Sequence, residues 1–139
     1  MKQEDIDFYM DTAFRAAERS KAVRKKVGAV VVTNSGGMYI GYNGTPKGVD
    51  NCCEIMLNGE LVTKPNVIHA EKNALGKMLK EGVSTHESVL FLTLSPCTSC
   101  ATLIASAGVK RVVYAEEYRD NMGLFTLMEC GVEVMKYER

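Results

Sequence analysis

This sequence lacks net charge, is poor in histidine and has no long apolar run. Its 17 lysines and arginines are balanced by 17 aspartates and glutamates, so the total does not describe a chain wrapped along a nucleic acid. A small charged ligand stays open. Histidine occurs only twice, and no second C-x-x-C or H-x-x-x-H is present to complete a four-ligand zinc finger. The five cysteines are an odd number, and no apolar signal segment opens the chain, which argues against a disulfide framework and for a reducing compartment. The expected location is cytoplasmic. No stretch approaches the roughly 18 apolar residues of a membrane span. No repeat, linker or low-complexity segment interrupts the 139 residues, so one domain over 1–139 is expected, long enough to bury a core.

What is present is concentrated in two short stretches, His69-Ala70-Glu71 and Pro96-Cys97-Thr98-Ser99-Cys100. An imidazole and two thiolates suit tetrahedral zinc, and three protein ligands leave the fourth position for water, whose pKa falls toward about 7. His69, Cys97 and Cys100 are the three expected ligands, holding one zinc per chain. Pro96 suits the first turn of a helix starting near Cys97, which puts Cys97 and Cys100 at i and i+3 on one face. The positive end of that helix favours the thiolates. His69 to Lys80 reads as a second helix, with Ala70, Ala74, Leu75, Met78 and Leu79 at the spacing of a buried face. Glu71 sits beyond the histidine without being a ligand, where it would shuttle protons. H-x-E followed by P-C-x-x-C is the signature of zinc nucleobase deaminases. The rival is a closed structural site, completed by His86, Cys52, Cys53, Cys130 or a carboxylate.

The rest of the chain alternates helix and strand. Residues 4 to 20 carry Ile6, Tyr9, Met10, Ala13, Ala16 and Ala17 at helical intervals. A basic loop follows with Lys21, Arg24, Lys25 and Lys26; it reads as a solvated loop or as the source of one cation, for instance Lys26 at the strand edge, that closes a phosphate site, and the sequence does not choose among the four. Val27 to Thr33 is a β-branched run, and Met38 to Tyr42 follows as its antiparallel partner. Gly41 to Gly48 is dense in turn residues, as in an anion-binding nest, where Asn43 and Thr45 would hydrogen-bond a nucleotide. The long connection from Thr45 to Ile68 contains Asn58-Gly59 between apolar runs, a hairpin signal. Cys52 and Cys53 at its base read as small buried hydrophobes, against a second metal or a redox-sensitive thiol. Ser88 to Leu94, Thr98 to Ala107, Lys110 to Ala115, Asn121 to Cys130 and Val132 to Lys136 read as strand, helix, strand, helix, strand, with the strands parallel. Tyr118-Arg119 then offers an aromatic wall over a base and a guanidinium for phosphate. Asn73 is placed to contact the sugar or to fix a neighbouring loop. Met56, Leu57, Met122, Leu124 and Phe125 are candidates for contact patches, with core burial expected for most.

The chain resembles the cytidine deaminase superfamily, and within it the deoxycytidylate (dCMP) deaminases. The resemblance rests on Val27-Gly28-Ala29-Val30, Gly41-Tyr42-Asn43-Gly44-Thr45-Pro46, Asn51-Cys52-Cys53, His69-Ala70-Glu71 with Asn73-Ala74, and Thr93-Leu94-Ser95-Pro96-Cys97 through Cys100. It implies an α/β, three-layer fold with a five-stranded mixed sheet flanked by helices, a homohexamer, and hydrolysis of dCMP to dUMP and ammonia for thymidylate synthesis. Ala70 joins Lys26, Asn43, Thr45, Asn73, Tyr118 and Arg119 in the substrate-binding set, with Asn43 at the sugar 3′-hydroxyl. The resemblance also implies activation by dCTP and inhibition by dTTP, read partly through Gly41, Tyr42, Asn43 and Gly44, with Mg2+ accompanying the bound triphosphate. No histidine lies between that segment and the metal helix, which is why one zinc is expected. Lys80 stands where some relatives carry arginine, a departure that bears on the effector response. The alternatives are a tRNA adenosine deaminase-like enzyme, a free-cytidine deaminase, or a non-enzymatic zinc-binding protein.

Overall fold

Alternating apolar side chains build a five-stranded sheet in the computed structural model, which describes residues 1–138; Arg139, the last position of the domain expected over 1–139, lies outside the described residues. Helix α1 (Gln3–Ala17) precedes the hairpin of β1 (Gly28–Val32) and β2 (Met38–Tyr42). A second hairpin, β3 (Glu54–Leu57) and β4 (Glu60–Thr63), forms a separate two-stranded sheet. Then come α2 (Ala70–Glu81), β5 (Val89–Leu94), α3 (Thr98–Ser106), β6 (Arg111–Glu116), α4 (Met122–Glu129) and β7 (Glu133–Lys136). The strand order is β2-β1-β5-β6-β7. β1 runs antiparallel to β2 and β5, while β5, β6 and β7 are parallel. This is the α/β, three-layer arrangement expected.

Period-two alternation along the strands feeds both layers of helices. Val30, Val32, Phe91 and Val113 pack against Ile6, Met10 and Ala13 of α1. Ala29, Val31, Leu90, Leu92 and Val112 point to the other face, where α2, α3 and α4 contribute Ala74, Leu75, Met78, Ala101, Ile104, Leu124 and Leu127. Every residue of β1 is buried, as its unbroken apolar run predicts. α2 lies so close to β2 that a Cβ on Gly41 would sit 2.3 Å from Ala70 O and 2.6 Å from Ala74 N. That contact sets the height of the helix that carries His69 and Glu71. Asn58 and Gly59 turn the second hairpin with φ of 51° and 79°, the conformation an Asn-Gly pair supplies in a type I′ turn.

Several boundaries and fates differ from the sequence reading. α1 stops at Ala17, short of residue 20. α3 begins at Thr98 as read, with Cys97 as its extended N-cap at φ −70° and ψ 168°. Pro96 therefore precedes the cap instead of occupying the first turn, because the Cys97 carbonyl already accepts the first helical bond from Ala101 N at 2.9 Å. Leu79 is 79% exposed, and buried Glu71 joins the inner face of α2. Cys53 is buried but Cys52 is exposed. Met56, Leu57, Met122 and Phe125 are exposed too, and only Leu124 of those five is core. The hairpin stands off the main sheet and α4 covers the sheet with one side only, so periodicity alone misplaced them. Among the described residues no helix is long and apolar enough to cross a membrane.

Candidate active site

Two helix starts converge at one point. His69 is the N-cap of α2 and Cys97 the N-cap of α3, while Cys100 lies one turn into α3, fully buried. Their ligating atoms all fall within 4.8 Å of one another. His69 Nδ1 is 3.2 Å from Cys100 Sγ and 3.7 Å from Cys97 Sγ. A tetrahedron with zinc to nitrogen near 2.0 Å and zinc to sulfur near 2.3 Å has an N···S edge of about 3.5 Å. The donor set therefore fits zinc in both chemistry and spacing, with Nδ1 as the facing nitrogen. Hydrogen bonds from the Cys100 thiol and the His69 ring pull the Cys97 thiol down to about 3, a ready thiolate. The bond to Cys97 raises His69. Cys100, which shares its proton with Cys97 and is buried, is pushed up. A divalent cation among the three would replace these shared protons.

The α4 backbone braces this turn from behind. A Cβ on Gly123 would lie 2.1 Å from Pro96 O and 3.0 Å from Cys97 O, so only glycine lets α4 approach the cysteine turn so closely. In front of the ligands opens a cavity of about 540 Å³, with His69, Ala70, Glu71 and Cys97 in its wall. Glu71 is 4% exposed, and burial pushes its carboxyl above the usual range, against the neighbouring His69 charge and its own backbone N–H. A carboxyl that holds its proton more tightly than usual beside a metal site suits a group that both takes and gives a proton.

The chain matches the cytidine and deoxycytidylate deaminase zinc-binding region over residues 3–116. It belongs to that family. The crystal structure of the cyanophage S-TIM5 dCMP deaminase, in complex with dCMP and dUMP, superimposes with a TM-score of 0.91 at 47% identity, covering 99% of each chain. The deoxycytidylate deaminase of Mycobacterium phage D29 is 37% identical over 84% of this chain and 99% of its own length. That of Schizosaccharomyces pombe is 32% identical over 94% of this chain, which spans only 43% of the yeast protein.

The other residues singled out in this deaminase-family chain divide between the cavity and its supports. Asn43, Tyr118 and Arg119 line the cavity with Ala70. The Asn43 amide also ties down the basic loop, accepting from Val27 N at 2.9 Å and donating to Lys25 O at 2.8 Å. Asn73 is not in the lining; its Nδ2 donates to Tyr42 O at 2.7 Å, which pins the end of β2 to α2. Thr45 stands outside the lining as well, next to the Cys53 thiol. Lys26 is exposed and absent from the wall, where Arg24 and Lys25 stand instead. Gly41 is buried beneath α2 and has no open face, since the helix backbone occupies the space a ligand would need. Gly44 bridges Ile68.

Four residues in or beside the site were given no role of their own by the sequence, although Thr93 and Ser95 belong to one of its motifs. Ser95 Oγ accepts from Tyr118 N at 2.7 Å and so sets the Tyr118-Arg119 loop. Thr93 Oγ1 accepts from Gly28 N at 3.0 Å, and Ser20 Oγ donates to Asn43 O at 2.8 Å. Glu116 pairs with Lys25 at 2.7 Å. Each acts through a partner distant in sequence, which no local motif reports.

Proposed function

We propose that this chain is a zinc-dependent dCMP deaminase, converting dCMP and water to dUMP and ammonia. The observation that carries the reading is the buried Glu71 carboxyl opening on the same cavity as His69 and Cys97. The S-TIM5 relative with dCMP and dUMP bound supports the choice of substrate. Held by His69, Cys97 and Cys100, one zinc per chain would supply a Lewis acid and an activated water. Glu71 takes a proton from the attacking water and delivers it to ring N3, which makes C4 more electrophilic. After attack it takes the proton of the new C4 hydroxyl and gives it to the amino group, which departs as ammonia while the C4 carbonyl forms. Tyr118 gives the ring an apolar wall, and Asn43, already fixed by two backbone bonds, keeps spare hydrogen-bonding capacity for the sugar. The substrate-binding set of the proposal is thus Asn43, Ala70, Tyr118 and Arg119, with Thr45 and Asn73 as supports.

The same reading extends to a cytoplasmic homohexamer of single-domain chains supplying dUMP for thymidylate synthesis, activated by dCTP and inhibited by dTTP. In that reading the effectors meet the exposed part of Tyr42, Asn43 and Gly44, and Mg2+ accompanies the triphosphate. The test is ammonia release from dCMP, cytidine and an adenosine-containing tRNA stem-loop, with zinc present and with dCTP or dTTP added. Turnover of dCMP, raised by dCTP and lowered by dTTP, is expected. Turnover of the stem-loop alone would replace the proposal with nucleic-acid deamination.

A further inference from the structure

The β3–β4 hairpin is a sheet of only two strands, and it exposes Ile55, Met56, Leu57 and Leu61. Two strands alone are marginal in water, and three or more are needed for independent stability. The base of the hairpin is held by the buried Glu54 carboxylate, which accepts from Val23 N at 2.8 Å and from Arg24 N at 3.1 Å. Its two long edges differ. On the β3 edge the Glu54 carbonyl already accepts from the Cys52 thiol at 3.2 Å. The β4 edge stays open, and the phase of the ladder fixes which groups it presents. Lys64 N donates to Cys53 O at 2.8 Å, so Glu60, Val62 and Lys64 turn their backbone groups toward β3, and by alternation Leu61 and Thr63 turn theirs outward. Those outward N–H and C=O groups have no hydrogen-bond partner among the described residues.

The stretch Glu60-Leu61-Val62-Thr63-Lys64 is complementary to itself. Two copies of β4 laid antiparallel across a two-fold axis at Val62 set Leu61 opposite the partner's Thr63, and the reverse. The groups left outside then form hydrogen-bonded pairs. In the same register Glu60 faces the partner's Lys64 twice over, and opposite charges directly across a ladder stabilise it. Neither Glu60 nor Lys64 has an ion pair among the described residues. Moving the axis one residue, to Leu61 or to Thr63, loses both charge pairs. The charges therefore select the register that the open backbone groups permit.

We infer that β4 is a docking edge for a second copy of this chain, pairing with itself about Val62 to build a four-stranded sheet in the order β3-β4-β4-β3 across a two-fold interface. Thr63 also lines the cavity, so this contact reaches the wall of the candidate active site. The inference does not depend on the reaction, and it gives the homohexamer proposed above one named contact. The test is sedimentation velocity on the zinc-loaded chain, which reads assembly without turnover. Wild type forms dimers or an even-numbered assembly. Glu60→Lys and Lys64→Glu each set like charges opposite one another twice, and each weakens association by at least about tenfold. Combining Glu60→Lys with Lys64→Glu restores it to within about threefold. Val62 and the partner's Val62 form a non-hydrogen-bonded pair, with Cα atoms about 4.5 Å apart, which is within disulfide reach. Val62→Cys, with the exposed Cys52 and Cys130 changed to serine, gives a covalent dimer on oxidation with diamide. Leu57→Cys in the same background, beside the hairpin turn on β3, does not.

A monomeric wild type would overturn the edge pairing. So would charge reversals that leave the assembly unchanged, a double variant that stays dissociated, or Val62→Cys that fails to cross-link within an intact assembly. A dimer that grows no further, and is lost on charge reversal, would instead strike the homohexamer and leave the edge pairing standing.

Discussion

On one face of the sheet a single helix buries Met10 among Phe91, Val30 and Val113, with the Tyr9 ring tilted against Phe91 at a centroid distance of 5.1 Å. On the other face three helices pack on Leu90, Leu92 and Val112, but around the site small residues gather, Ala29 and Gly41 on the strands and Ala70, Ala74, Cys100 and Ala101 on α2 and α3. The same strands serve both faces through their two-residue alternation. Large side chains, which fill the α1 face and the part of the other face away from the site, give area removed from water and so stability. Small ones on the opposite face give short backbone distances, and those distances place His69, Glu71, Cys97 and Cys100. A core can therefore be divided between holding the fold and holding the chemistry, although neither face is less buried than the other.

Substitutions chosen from each face should separate the two roles. Cys100→Ser is expected to have the largest effect on chemistry: zinc content falls well below one per chain and turnover disappears. The loss of metal affinity should exceed the ~10–100-fold that follows removal of a mere supporting partner, as metal analysis after dialysis would show. Phe91→Ala on the α1 face should cost about 3–5 kcal/mol in urea unfolding, while the protein that remains folded keeps its zinc. Gly41→Ala should cost about 1–3 kcal/mol, since the new methyl group meets the α2 backbone. It should also lower kcat, because moving α2 moves His69 and Glu71. Gly76→Ala, in the same helix but with nothing within 4 Å of the added Cβ, should instead stabilise by about 0.5–1 kcal/mol without changing kcat.

An effect of similar size belongs to Tyr137, whose hydroxyl donates to Asp7 at 2.7 Å and ties the chain after β7 to α1. Tyr137→Phe should cost about 1 kcal/mol at neutral pH. The bond to Asp7 holds the phenol above its ordinary value of 10.0. A group that keeps its proton more tightly when folded contributes fully below its unfolded value, and that contribution fades as pH rises through the folded one. The difference between wild type and Tyr137→Phe should thus shrink above about pH 10; a constant difference would show that the bond plays no part.

Legibility in the sequence followed the kind of contact. β1 could be read because an unbroken apolar run has few other fates, and the parallel strands because a helix intervenes between each pair. His69, Glu71, Cys97 and Cys100 stood out because a metal site at helix starts needs those residue types at local spacings. Contacts between backbone and distant polar side chains left no such trace. Glu54 reaches Val23 and Arg24 across more than two dozen residues, so neither its burial nor the choice of Arg24 and Lys25 over Lys26 as cavity residues follows from any periodicity. The exposed Met56, Leu57, Met122 and Phe125 were misjudged for a related reason. An apolar stripe predicts a buried face only when another element lies over it.

Glu71, as the proposed proton carrier beside the zinc ligands, is the residue on which turnover should depend most. The most direct measurement is ammonia release from dCMP by wild type and Glu71→Gln, with zinc content determined on the same samples. Both proteins should hold one zinc per chain, and kcat should fall by at least ~10²–10⁴-fold in the variant. Substantial turnover by Glu71→Gln with zinc bound would contradict the account.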